Sequence, residues 1–124
     1  HELQKAVNPI TLQKLMEHPI QGQSTELNDN RISLYVAQRG KCAICKEPLL
    51  LGEMDVHHIT PKNSGGKDNY SNLALVTGDV HKLIHATDPV IICKYLEKLK
   101  HCKLNMAKLN KFRLLAGNCK LEYR

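Results

Sequence analysis

Apolar and polar positions alternate in short blocks along the chain, and no block is long enough to cross a bilayer. The stretch "NPITLQKLMEHP" predicts a short helix, with Asn8 as its cap, Pro9 in the first turn and Pro19 ending it. "IQGQSTELND" is polar throughout and reads as a linker. "NRISLYVAQRG" predicts a second helix, with Ile32, Tyr35 and Val36 on one face and Gly40 at its C-terminal cap. Beyond Lys41 the pattern shortens. "CAICKEPLLLGEMDVHHI" combines a knuckle, a turn at Gly52 and a strand from Met54 to Ile59. "TPKNSGGKDNYS" is a loop, and "NLALVT" a second strand. A loop of that length between paired strands is often functional. Asp79 is placed as the cap of a short helix carrying "VHKLIHA". Asp88-Pro89 opens another helix, with Ile92, Tyr95, Leu96 and Leu99 on one face, and "LNMAKLNKFRLLAGN" forms the last, closed by Gly117.

Composition narrows this picture. At 124 residues and 42% hydrophobic, the chain is one domain in size and can bury a core. With 4% aromatics and no Trp, that core is expected to be mainly Leu, Ile and Val. The +6 formal charge favours a polyanionic partner, most simply nucleic acid. The first ten residues lack the apolar segment of a signal peptide, and the initial His rather than Met suggests a fragment of a longer protein. Five cysteines without a framework spacing favour a reducing, cytoplasmic compartment over a disulfide scaffold.

Two histidine clusters carry the chemistry: "DVHHI" and "HKLIH". On a helix, His81 and His85 project from one face and suit a single metal ion. Taken alone they read first as two exposed surface histidines. They are not a zinc-protease motif, because Lys82 stands where that chemistry needs Glu. His57 and His58 are neighbours on a strand and so point to opposite faces. One can face a metal held by His81 and His85, and the other a reacting water. Three imidazoles leave an open coordination position, as catalytic metals require. Histidine, with an intrinsic pKa of about 6.5, can act as a base at neutral pH.

His57-His58, thirteen residues, Asn72, eight residues, His81, three residues and His85 form a pattern that resembles the HNH, or ββα-metal, nuclease motif. The spacing is similar to that of colicin-type nucleases, whose first gap is one residue longer. The resemblance implies an α+β fold, a small hairpin-plus-helix core flanked by several helices. It implies His58 as general base, with His57, His81 and His85 as ligands of one divalent ion. Mg or Mn is the working ion it implies, although such ligands also accept Zn or Ni. It implies Asn72 as the residue that pins the loop. Asn69 is the alternative, at a longer distance from His81. Lys62 and Lys67 could contact flanking phosphates or simply be solvated. In many relatives of this kind two CxxC pairs bind a structural zinc. Here Cys42 and Cys45 supply one pair, while Thr77 and Val80 occupy the places of the second. The alternative is two packed thiols.

A narrower resemblance rests on "NDNRISLYVAQRGKCAIC", "ITPKNSGGKDNYSNLALVTGDVHKLIHATDP" and "LNKFRLLAGN". These look like the C-terminal endonuclease region of bacterial group II intron reverse transcriptase/maturases, from about Ser24 to Asn118. Residues 1–23 would then end a DNA-binding segment and residues 24–124 form the endonuclease domain. DNA is the implied partner, with intron RNA bound through the rest of a longer protein. A non-catalytic, metal-stapled nucleic-acid-binding module and a free-standing nuclease of phage or restriction type are the competing readings. The basic positions from Lys94 to Arg113 could track phosphates or form a solvated face.

Overall fold

The computed structural model describes residues 7–122; residues 1–6, where the N-terminal segment expected from sequence begins, and residues 123–124 lie outside the described residues. Two helices, α1 (Pro9–Glu17) and α2 (Thr25–Ala37), precede an antiparallel hairpin of β1 (Met54–His58) and β2 (Leu73–Thr77). Helix α3 (Gly78–His85) follows β2 without a gap, and α4 (Pro89–Lys98) and α5 (Met106–Leu115) complete the order. The fold is α+β, as expected: a ββα unit enclosed by helices. A lone two-stranded hairpin is marginal in water. Here Leu75, Val76, Val80, Leu83, Ile84 and Leu109 are fully buried around it, and each such side chain contributes roughly 1.5–3 kcal/mol on leaving water.

Helix boundaries follow capping chemistry. The Asn8 side chain accepts from the Ile10 and Thr11 amides, with Pro9 at the first position, as expected. Asp88 caps α4 in the same way. Three expectations differ from the structure. Helix α2 begins at Thr25, inside the stretch read as a linker, because the Ser24 hydroxyl accepts from the Leu27 amide. Its buried face is Leu27, Arg31, Leu34 and Tyr35, whereas Val36 is exposed. The cap of α3 is Thr77, whose Oγ1 accepts from the Val80 amide. Asp79 lies within the first turn, where its charge favours the positive end of the helix dipole.

Two polar side chains fasten the ββα unit. The Gln38 amide pairs with the outer edge of β2, donating to the Leu75 carbonyl (2.9 Å) and accepting from the Leu75 amide (3.0 Å). It occupies ladder positions that would otherwise be free to pair with another chain. Arg113, 2% exposed, donates to the carbonyls of Leu83 (2.6 Å) and Ala86 (2.8 Å) at the end of α3 and to that of Cys119 (2.8 Å). It satisfies carbonyls that a helix end leaves without partners. Arg113 is therefore neither a phosphate contact nor part of a solvated face. Among the described residues, no helix is long and apolar enough to cross a membrane.

Candidate active site

The hairpin register places His57 opposite Ala74 and His58 opposite Leu73. Side chains alternate across a strand, so the two histidines leave β1 on opposite sides. His57 is 1% exposed and its ring lies 5.2 Å from that of Phe112. It meets His81 and His85, which share one face of α3. The centroid separations are 5.4 Å (His57–His81), 5.3 Å (His57–His85) and 4.9 Å (His81–His85). One ligand nitrogen from each lies within 4.8 Å of the others. Three imidazoles bound tetrahedrally at about 2.0–2.1 Å would have ring centroids roughly 5 Å apart, close to the observed triangle.

Two further observations fit a cation. His57 Nε2 is buried without a hydrogen-bond partner, an expensive state for a polar atom unless something binds it. Burial first, then the neighbouring His81, His85 and His58, lowers the His57 pKa to about 3. The ring is therefore neutral at physiological pH and its lone pair is free for coordination. Burial, then His81 and Arg113, likewise lowers that of His85. His81 Nδ1 faces Asp55 Oδ2 at 3.2 Å. A carboxylate on one ring nitrogen is the kind of partner that orients a metal-binding imidazole.

His58 belongs to a different environment. Its Nε2 lies 2.8 Å from Asp68 Oδ1. Asp68 is held in turn by the Ser24 hydroxyl, which donates to Oδ2 at 2.6 Å, and by the Asn30 side chain, which donates to its carbonyl at 2.9 Å. With Nε2–H donating to Asp68, the lone pair of His58 lies on Nδ1. Asp55, Val56, His58 and His81 line a cleft of about 280 Å³ whose far wall is Ile20, Gln23 and Leu27, from the α1–α2 connection and the start of α2.

The loop between the strands is pinned by Asn72. Its Oδ1 accepts from the Thr60 amide (2.8 Å) and its Nδ2 donates to the carbonyls of Thr60 (3.0 Å) and Lys67 (2.9 Å). Its backbone carbonyl also accepts from the Ile59 amide at 2.8 Å. Asn69 instead bonds locally to Ser71. Gly66 is required for this closure: an added Cβ would lie 1.8 Å from the Thr60 carbonyl oxygen and 2.9 Å from Asn72 Nδ2. Gly66→Ala is therefore expected to lower stability by roughly 1–3 kcal/mol through overpacking. A urea midpoint equal to that of wild type would contradict this reading of the loop. Lys62 Nζ approaches Asp68 at 3.5 Å and is half exposed, and Lys67 is exposed.

Asp68 and Asp55 were not singled out from sequence. Asp55 carried a local signal, two residues before His57 and hence on the same strand face. Asp68 carried none, because its partners lie on β1 and α2. Its pKa is lowered, first by the Ser24 hydroxyl and then by His58. A carboxylate with a depressed folded pKa stabilises the protein above its unfolded value of about 3.9, and that contribution fades as pH falls through the folded value. Asp68→Asn is expected to be less stable than wild type at pH 7, with the gap closing below about pH 4. Urea midpoints at pH 7 and pH 3 test this, and a gap that stays constant would count against it.

In the knuckle, the Cys45 thiol donates toward Cys42, lowering the pKa of Cys42 to about 6 and raising that of Cys45. The Thr77 amide donates to Cys42 Sγ at 3.4 Å, and Thr77 Oγ1 lies 3.9 Å from Cys45 Sγ. Val80 is fully buried. A second group of donors, Glu47, His101 and Cys102, lies beside this knuckle, and the Cys102 thiol interacts with Cys45.

Residues 42–86 match the family model for HNH endonuclease, so this part of the chain carries the signature of an HNH domain, the class of metal-dependent nucleases. The match takes in the knuckle, the hairpin and all of α3. Comparison with curated proteins and with solved structures returned no match.

Proposed function

We propose that this chain is a DNA endonuclease domain that hydrolyses phosphodiester bonds with His58 as general base and one divalent ion held by His57, His81 and His85. The carrying observation is the division of labour along β1. His57 presents a buried, unpartnered nitrogen to the two histidines of α3. His58 leaves the other side, oriented by Asp68. When bound, the ion stabilises charge on the phosphate and on the leaving oxygen. His58 Nδ1 takes the proton of the attacking water, and Asp68 fixes the tautomer that makes Nδ1 the base. Asn72 holds the backbone following His58. Asp55 orients His81, and the cleft beside Ile20 and Leu27 receives the substrate phosphate. A non-catalytic, metal-stapled module would have no use for the His58–Asp68 pair. Lys62 and Lys67 are proposed as contacts to flanking phosphates. A zinc at Cys42 and Cys45 would draw on Cys102 as its next thiol.

The resemblance of residues 24–118 to intron-encoded endonuclease regions supports a finer proposal. In it the domain cuts one strand of target DNA and leaves a 3′-OH that primes reverse transcription of a group II intron. Incubation with supercoiled plasmid and Mg²⁺ or Mn²⁺ tests the reaction: nicked circles that vanish with chelator are expected. A folded, metal-loaded protein that leaves plasmid intact would refute it.

A further inference from the structure

Charge on this molecule is sorted between two concavities. One cleft is lined by Glu47, Glu53, Asp55 and Asp79. A second groove, of about 390 Å³, is lined by Lys41, Lys46, Lys108 and Lys111 and by no acid. Lys46 and Glu47 are consecutive in the chain yet serve different concavities. Lys41 and Lys46 bracket the Cys42–Cys45 knuckle, and Lys46 adopts a left-handed backbone (φ 64°) at its turn. Lys108 and Lys111 are three apart on α5 and so share a face. Among the described residues, none of the four pairs with a carboxylate, whereas Lys62 and Lys100 do.

The groove also has an aromatic lip and an apolar floor. Tyr70 is 46% exposed at its edge, in a chain with few aromatic rings. Ile59, Leu73, Ala74 and Phe112 form the floor. Lysines, an exposed ring and apolar side chains lining one groove suit a nucleic-acid strand whose bases are free to stack, not the closed outer surface of a duplex. The volume is of the order of one nucleotide. The floor lies behind the histidine triangle: the Phe112 ring is 5.2 Å from that of the buried His57, and Ile59 follows His58 in the chain.

We propose that this groove binds an unpaired stretch of DNA beside the cleavage site, with phosphates on Lys41, Lys46, Lys108 and Lys111 and a base stacked on Tyr70. The proposal deepens the nuclease reading by naming the substrate form, and it rests on that reading for the cleavage site and the word substrate, not for the binding itself.

The test is fluorescence anisotropy of labelled oligonucleotides with the whole chain in EDTA, so that binding is read without cleavage. Single-stranded DNA, fully paired duplex, duplex with a single-stranded gap, and single-stranded RNA are compared. All of the altered side chains are exposed, and melting curves check that each variant folds. The Lys108→Ala/Lys111→Ala pair is expected to weaken binding to single-stranded and gapped DNA about tenfold or more. It should also reduce the slope of log K against log salt by roughly 1.4. Tyr70→Ala is expected to weaken the same ligands about tenfold while leaving the salt slope nearly unchanged. Unchanged affinity in these variants would overturn the groove. Equal losses on paired duplex would overturn the single-strand assignment, and tighter binding of RNA with the same losses would overturn the DNA assignment. If wild type does not nick plasmid but the variants still lose binding, the nuclease reading fails and the groove stands.

Discussion

Replacing His58 with alanine is expected to slow DNA cleavage by roughly 10²–10⁴-fold under single-turnover conditions, the usual contribution of a positioned general base. The size follows from how completely the side chain is committed. Its Nε2 is engaged by Asp68 at 2.8 Å. Asp68 is itself tied down by Ser24 and Asn30. The ring therefore arrives with orientation and tautomer already set, and His81, the other histidine lining that cleft, faces Asp55 instead. Metal affinity should be unchanged, because His57, His81 and His85 are untouched. Asp68→Asn should lower the rate roughly tenfold or more, since an amide can support the wrong tautomer. Cleavage by His58→Ala at near wild-type rate would end the base assignment.

The second large effect is on metal binding. His81→Ala or His85→Ala leaves two imidazoles, and divalent-ion affinity is expected to fall by at least about 100-fold, with cleavage lost at ordinary ion concentrations. These positions are better tests than His57. His85 is exposed and His81 only partly covered, so truncation creates no buried cavity. His57 is sealed against Phe112, and its removal would confound folding with binding. The melting temperature of wild type should rise with added ion by mass action, and that of either variant should not. A variant that keeps the metal-dependent shift would show that the three histidines are not the ligands.

The features readable from sequence are those with local causes. The Asn8 and Asp88 caps, the Gly117 turn, the alternation through Val56–Ile59 and the helical spacing of His81 and His85 each depend on neighbours within a few residues. The gathering of His57 with the α3 histidines followed from one strand, one loop and one helix placed in order. What was not legible depends on distant partners. The first turn of α2 is polar, so it resembled a linker; only the Ser24 cap and the burial of Leu27 define it. Asp68 looks like an ordinary loop acid until α2 packs beside it. Arg113 sits among basic residues, and nothing local distinguishes it from a solvated one. It is buried because the last carbonyls of α3 need donors. Thr77 displaced Asp79 as the α3 cap because the helix begins directly where β2 ends.

The central claim is that one ion sits on three histidines while the fourth stays outside the shell. A crystal soaked in Mn²⁺, with the ion located by anomalous scattering, tests it directly. The expected result is a single strong peak bonded to nitrogens of His57, His81 and His85, with His58 still against Asp68. A peak that includes His58 among its ligands, or that lies away from this triangle, would contradict it.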